Sequence, residues 1–238
     1  MSATSPWAER ATQVYDGSYA RRYRAHDDEF ESSEPCREFA AWLRRVCSMR
    51  TPPIDVLDLG CGTGRYFWAL TGVRDLVGLD ASPAMLDEAR HPYKAEMIAA
   101  ASVSLLQGDL LTHPFDAERF DLVYSIGVLA EHVPLDAALV ANVARWLRPG
   151  GTFAFTTVHP ASPSIPRTPG RRVGEWIAPL AFGQLRRSLR DHLLAQGLYA
   201  DEERVRELLG RSFIVESLDR FVSEAHLHCL CVARKTSA

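Results

Sequence analysis

The 238-residue chain holds little that would tie it to a membrane, to the cell exterior or to a nucleic acid. Its longest apolar stretch, Leu122–Ala130, is far too short to cross a bilayer, which takes about 20 apolar residues. The opening residues, Met1 to Arg10, are polar and lack the apolar core of a secretion signal. The five cysteines, Cys36, Cys47, Cys61, Cys229 and Cys231, are odd in number and form no C-x-x-C pair. Neither a disulfide framework nor a zinc site is indicated. Basic excess is missing too: 27 Lys and Arg stand against 30 Asp and Glu, a formal net charge of -3. A protein built to grip a phosphate backbone is usually basic, so no nucleic acid partner is expected. The pairs Arg171–Arg172 and Arg186–Arg187 read as solvated faces. Cytoplasm is the default compartment, without a membrane partner.

What is present suits an ordinary globular core: 47% of residues are hydrophobic and 24% charged. The length fits one α/β domain with a modest cap. Residues 6–48 read as helical, with Phe39, Trp42, Leu43 and Val46 on one stripe. Thr51-Pro52-Pro53 breaks the chain before a buried-type strand, Ile54–Leu59, which runs into Gly60-Cys61-Gly62-Thr63-Gly64. A helix is expected from Arg65. Further strands are expected over Asp75–Leu79, Val103–Gln107, Phe120–Ile126 and Thr152–Val158. Helices are expected from Ser82-Pro83 to Arg90, with Ser82 as N-cap, and over Leu135–Leu147, stopped by Arg148-Pro149-Gly150-Gly151. This alternation predicts a mostly parallel sheet covered on both faces.

Residues 159–183 differ, holding Pro160, Pro163, Pro166, Pro169 and Pro179. A loop that long inside a compact domain is usually functional, so a lid is expected over 159–200. Within and after it, Leu185–Gln196 and Asp201–Leu209 read as helices. Phe213–Leu218 and His226–Ala233 read as two late antiparallel strands. The whole is read as one domain, 1–238: a helical cap (6–48), a core (54–158), the lid (159–200) and a C-terminal helix and strands (201–238).

The glycine loop lets a ligand approach the backbone closely, and a helix N-terminus behind it would offer N–H donors. Asp80 stands at the end of the second predicted strand, where a doubly wound fold places a carboxylate against ribose hydroxyls. An NAD fingerprint would want a glycine at position 65, which is Arg65.

Five ordered motifs carry a resemblance. Val56-Leu57-Asp58-Leu59-Gly60-Cys61-Gly62-Thr63-Gly64 resembles the first motif of class I S-adenosylmethionine-dependent methyltransferases, of the type 11/12 kind. Val77-Gly78-Leu79-Asp80-Ala81-Ser82-Pro83-Ala84-Met85-Leu86 resembles the second and Gln107-Gly108-Asp109-Leu110 the third. Phe120-Asp121-Leu122-Val123-Tyr124-Ser125 resembles the fourth, and Leu147-Arg148-Pro149-Gly150-Gly151 the turn before the fifth strand.

The resemblance implies an α/β fold: a Rossmann-like, doubly wound, seven-stranded sheet with the last strand antiparallel. It implies S-adenosyl-L-methionine as cofactor, S-adenosyl-L-homocysteine as product and a small-molecule acceptor methylated on O, N or C. Position by position, Asp58 would orient the methionine amino group, and Gly60, Cys61, Gly62 and Gly64 would line the cofactor. Asp80 and Ala81 would meet the ribose, Met85 the adenine face, Asp109 the adenine amino group, with a backbone donor at Leu110. Ser125 would offer its carbonyl to the methionine ammonium. Tyr15 and Tyr23, in a stretch that resembles the family's leading helix, would close the site.

His132, in Ala130-Glu131-His132-Val133, is the first candidate base, the alternatives being a helix cap or a cofactor contact. The resemblance includes family members with a Glu-His pair here. His159 is the second candidate and, with Trp176 and Phe182, a candidate for acceptor binding. His226 and His228 alternate on a predicted strand and read as packing. Metal-dependent catechol-type relatives place an acid where this chain has Ser125, which cannot replace it as a hard-cation ligand, so no metal is expected. A non-methylating protein on this fold and an NAD-dependent oxidoreductase are the competing readings.

Overall fold

A computed structural model describes residues 4–162, 198–223 and 226–236. Among them the helices are α1 (Pro6–Val14), α2 (Gly17–Asp27), α3 (Glu34–Ser48), α4 (Pro83–Ala89), α5 (Ala137–Trp146) and α6 (Glu202–Leu209). The strands are β1 (Ile54–Leu59), β2 (Val73–Asp80), β3 (Ala100–Gln107), β4 (Phe120–Ser125), β5 (Leu147–Val158), β6 (Phe213–Val222) and β7 (Leu227–Lys235). They form one sheet in the order β3-β2-β1-β4-β5-β7-β6. The first five run parallel, and β7 is antiparallel to both β5 and β6.

Central β1 is buried along its whole length, because helices cover both faces of the sheet around it. Its side chains alternate between two cores. Leu57 and Leu59 join Val77, Leu79, Val123 and Phe155 beneath α5 and α6. Ile54 and Val56 join Leu76, Leu122 and Tyr124 beneath α3. The α3 stripe of Phe39, Trp42, Leu43 and Val46 is buried as its spacing predicts.

Charged groups tie the strands together at the ends away from the glycine loop. Asp55 accepts from Arg148 Nη2 at 2.8 Å and pairs with Arg74; Arg148 Nη1 also reaches Asp121 at 2.6 Å. Burial alone would raise the Asp55 carboxyl, but the two guanidiniums outweigh it and hold it below its ordinary value.

Helix starts follow local capping chemistry. Asp16 accepts from the N–H groups of Ser18 and Tyr19 at the head of α2, and Ser82 from Met85 N–H at the head of α4. Asp136 and Asp201 do the same for α5 and α6.

Two expectations change. No α-helix follows Arg65; the glycine loop leads into a short 3-10 turn, Phe67–Ala69. Phe67, Trp68, Ala69 and Leu70 are all buried, and four consecutive buried residues cannot share one face of a surface helix. Strands β2, β3, β5, β6 and β7 are longer than periodicity suggested: β5 begins at Leu147, with a register shift between the Phe120 and Leu122 pairings, and β6 extends to Val222. The expected lid falls largely, and the Leu185–Gln196 helix wholly, outside the described residues.

Candidate active site

At the carboxyl ends of β1, β2 and β4 lies a cavity of ≈ 140 Å³. That is roughly ten times the space one water needs, so it is sized for a ligand. Such crevices at strand carboxyl ends are where open α/β sheets bind nucleotides. The floor comes from the turns after β1 (Asp58, Gly60, Cys61, Gly62), β2 (Asp80, Ala81, then Met85), β3 (Asp109, Leu110) and β4 (Ile126, Gly127, Val128, then His132). The roof comes from the cap: Trp7, Arg10, Ala11 and Val14 of α1, Tyr15, and Tyr19 and Tyr23 of α2.

The turn after β1 has to be glycine at position 60. Its φ is +79°, and a Cβ there would stand 2.7 Å from the side chain of Val128, in the turn after β4. Gly60 and Cys61 both donate N–H to Leu79 O, which draws the turn against the end of β2. Gly62 N–H donates to Asp80 Oδ2 and Ser82 N–H to Oδ1, both at 2.9 Å. Asp80 is therefore fixed in place, with a lone pair left on each oxygen. Burial raises its pKa against the pull of those N–H groups.

Asp58 has no such anchoring. It is buried, with the Tyr124 hydroxyl beside its carboxyl. Burial pushes its pKa up to about 8; the Tyr124 hydroxyl opposes that and Asp80 adds to it. A buried carboxyl facing a cavity in this state suits a cationic ligand group.

The cap is fastened at several points. Ser5 N–H donates to Asp109 Oδ2 at 2.7 Å, and Leu111 N–H to Oδ1 at 2.9 Å. Ser82 Oγ donates to Tyr15 O at 2.6 Å. Asp27, at the end of α2 and fully buried, accepts from Thr63 Oγ1 at 2.8 Å and pairs with Arg65. The Arg65 guanidinium lies over the Tyr23 ring, 4.1 Å from its centroid. Tyr19 and Tyr23 stack at 5.9 Å, and Tyr15 meets Tyr19 edge-on at 5.0 Å.

The stretch after β4 supplies the candidate base. Gly127 (φ +70°) donates N–H to Thr156 Oγ1 at 2.9 Å, and Ala130 (φ +56°) turns the chain so that His132 reaches the cavity. His132 Nε2 stands 3.5 Å from Glu131 Oε1, and the ring meets Tyr15 edge-on at 6.0 Å. Desolvation at the cavity, then the Arg10 charge, push the imidazole pKa down, so the ring is neutral at pH 7. Burial pushes Glu131 up to about 7.

Most of the expected residues meet here: Tyr15, Tyr23, Asp58, Gly60, Cys61, Gly62, Asp80, Ala81, Met85, Asp109, Leu110 and His132. Gly64 does not line the cavity; it turns away with φ +72°, and a Cβ there would strike Phe67 at 2.7 Å, so its role is packing. Ser125 is fully buried behind the wall, where its hydroxyl donates to Leu59 O at 2.7 Å. Nor does His159 line the cavity. Its Nδ1 accepts from Ala161 N–H at 2.9 Å and its Nε2 faces Glu202 at 3.4 Å, which makes it a turn residue. His228 packs against Phe39, ring centroids 5.1 Å apart. Trp176 and Phe182 lie outside the described residues. The described residues hold no cluster of three or more His, Cys, Asp or Glu able to bind a metal ion. They include no helix long and apolar enough to cross a membrane.

Sequence reasoning missed Arg10, Tyr19, Asp27 and Arg65. One signal was available: Trp7, Arg10, Ala11 and Val14 follow helical spacing, which puts a charge on an apolar stripe.

Fold and site together define a doubly wound, nucleotide-binding type of protein, distinguished from the all-parallel dinucleotide folds by the antiparallel β7 set between β5 and β6. Residues 56–151 match the family model described as a methyltransferase domain. Over that segment the chain is similar to methyltransferases. It is 33% identical over 158 residues to a malonyl-[acyl-carrier protein] O-methyltransferase of Methylococcus capsulatus, covering 65% of this chain and 55% of that protein. It is 28% identical over 165 residues to a phthiotriol/phenolphthiotriol dimycocerosates methyltransferase of Mycobacterium leprae, covering 66% and 54%. The chain thus spans about half the length of these curated relatives. Among solved structures it resembles an N-methyltransferase of Bradyrhizobium japonicum in complex with S-adenosyl-L-homocysteine. The TM-score is 0.64 at 19% identity, with 93% of this chain and all of that one covered.

Proposed function

We propose that the chain binds S-adenosylmethionine in this cavity and transfers its methyl group to a small-molecule acceptor. The observation that carries this reading is the buried Asp58 carboxyl facing the cavity next to the anchored Asp80. One acid suits an ammonium, the other a ribose diol. Asp80 would accept from the two ribose hydroxyls with the lone pairs that Gly62 and Ser82 leave unused. Met85 would pack on the adenine. Asp109 would accept from the adenine amino group with what remains after Ser5 and Leu111 bind, and Leu110 N–H would donate to the ring.

The sulfonium of the bound cofactor supplies a methyl already activated for displacement. This chain's own residues then have three tasks. Tyr15, Tyr19 and Tyr23 keep water from the reacting centre, where holding the two reactants in line does most of the work. The turn after β4 sets the acceptor against the methyl. His132, neutral at pH 7, takes the acceptor's proton at Nδ1, the ring nitrogen that Glu131 does not face.

The similar proteins include both an O- and an N-methyltransferase by name, so the methylated atom has to be read from this chain's residues. The test is transfer of a labelled methyl from S-adenosylmethionine to a panel of hydroxy- and aminoaromatic compounds. Label in an acceptor, lost in His132→Ala, supports the reading. Cofactor binding without transfer to any acceptor would favour a non-methylating role.

A further inference from the structure

Two acids of the cavity floor, Asp58 and Asp80, are held by different kinds of partner. Asp80 accepts from two backbone N–H groups, those of Gly62 and Ser82. An N–H only donates, so it suits a carboxylate and offers nothing to the proton of a carboxylic acid. Asp58 has a hydroxyl beside it instead. Asp58 and Tyr124 are register partners on the adjacent parallel strands β1 and β4, so their side chains leave the sheet on the same face. Both are buried, Asp58 at 4% exposure and Tyr124 at 0%. On its other flank Tyr124 is paired with Ala154 of β5, which has no polar side-chain atom. The titratable groups that face the Tyr124 hydroxyl are Asp58, Cys61 in the turn after β1, and Cys47 of α3. Thiols are weak hydrogen-bonding groups, which leaves Asp58 as the strong one. Those that face Asp58 are Tyr124, Asp80 and Cys61. Each is neutral or negative, so among the described residues the cation that balances an ionised Asp58 is left to the ligand.

We propose that Tyr124 is a positioning residue for the cofactor's ammonium: its buried hydroxyl donates to one oxygen of the ionised Asp58 and leaves the other oxygen for the cavity. This rests on the methyl-transfer reading above and deepens it. A hydroxyl both accepts and donates, so it serves a carboxyl that changes its protonation. Before binding, Asp58 holds its proton and Tyr124 accepts from it. When the ammonium arrives, the carboxyl ionises, its proton passes to solvent, and the hydroxyl turns to donate. The Tyr124 proton stays on its own oxygen, because burial and the neighbouring Asp58 push the phenol pKa well up. The carboxylate is then fixed in a low-dielectric wall, where a charge-assisted bond is strong. Asp80 needs no such two-way partner, since a ribose diol asks it to accept in every state.

The test is Tyr124→Phe, which removes the hydroxyl and keeps the ring that fills the core. S-adenosylhomocysteine is titrated calorimetrically into the full chain at pH values on both sides of 8. No binding by the parent protein removes the methyl-transfer reading and this inference together. In the parent, affinity should level off near pH 8, where Asp58 ionises. Tyr124→Phe withdraws a donor from the carboxylate, so the carboxyl ionises at higher pH. Affinity at pH 7 should fall about tenfold, and the level stretch should begin about one unit higher. In the Asp58→Asn background the same substitution should change affinity by less than about twofold. A cooperative melting transition shows that the variant is folded. Should Tyr124→Phe not fold, infrared difference spectra of the parent with and without S-adenosylhomocysteine take its place. A tyrosine C–O band should move to the position of a hydrogen-bond donor, and that movement should be absent in Asp58→Asn. Equal affinity in Tyr124→Phe, a loss that is the same at every pH, a loss undiminished in the Asp58→Asn background, or a tyrosine band that does not move would each overturn the inference while leaving cofactor binding intact.

Discussion

The Asp27 carboxylate, fully buried at the end of α2, accepts a hydrogen bond at 2.8 Å from the hydroxyl of Thr63 in the glycine loop. With the Arg65 pair beside it, this contact joins the helical cap to the turn that would hold the cofactor. The cap is thereby part of the site's wall rather than a separate appendage.

Breaking that join should be costly. Asp27→Ala leaves the largely buried Arg65 guanidinium without its counter-charge, for which about 3–5 kcal/mol of lost stability is expected. Urea unfolding followed by circular dichroism measures it. A loss below about 1 kcal/mol would show that water or another acid replaces Asp27 easily.

Asp58 gives a pH dependence. Without ligand its carboxyl is raised to about 8, so the folded chain holds near pH 7 a proton that the unfolded chain releases near pH 4. That contribution to stability is present at low pH and is lost as pH rises toward 8. A ligand ammonium reverses the preference by favouring the ionised form. Affinity for S-adenosylhomocysteine should therefore rise with pH, about tenfold per unit, and level off above about 8. Calorimetry at pH 7 in buffers of different ionisation enthalpy should record release of most of one proton. In Asp58→Asn both the slope and the release should vanish; a slope that survives would assign the proton elsewhere.

Asp80→Ala should weaken S-adenosylhomocysteine binding by about 1–3 kcal/mol, through loss of charge-assisted bonds to the ribose. Unchanged affinity would rule out the ribose role. Asp80 also anchors the N–H groups of Gly62 and Ser82. The melting temperature of the variant without ligand therefore has to be compared alongside.

His132→Ala should lower kcat by roughly 10²–10⁴-fold with S-adenosylhomocysteine affinity unchanged. The imidazole pKa is depressed, so the rate in the parent protein should not fall through an ordinary histidine titration as pH drops from 7 to 6. A rate that does fall there, and stays pH-dependent in His132→Ala, would place the base on another group, Glu131 being the nearest.

The strands and the cavity floor were legible because their signals are local. Buried strands show as short apolar runs, and Asp58, Asp80 and Asp109 follow directly on three of them or at their ends. The helix after Arg65 was misread because a glycine loop running into a helix is the common pattern, while burial of Phe67 through Leu70 depends on neighbours far away in sequence. Arg10, Asp27 and Arg65 escaped for a related reason. A charged residue on a helix or turn looks solvated until the fold shows what lies opposite, and Asp27 finds Arg65 across 38 positions. His159 drew notice as a histidine at a strand end, yet its imidazole is taken up by Ala161 and Glu202.

The first measurement to make is a calorimetric titration of the purified chain with S-adenosylhomocysteine and, in a separate cell, with NAD. Micromolar binding of the thioether and none of the dinucleotide is the expected result. No binding of S-adenosylhomocysteine, or a preference for NAD, would contradict the assignment of the cavity between Asp58 and Asp80 to a methyl donor.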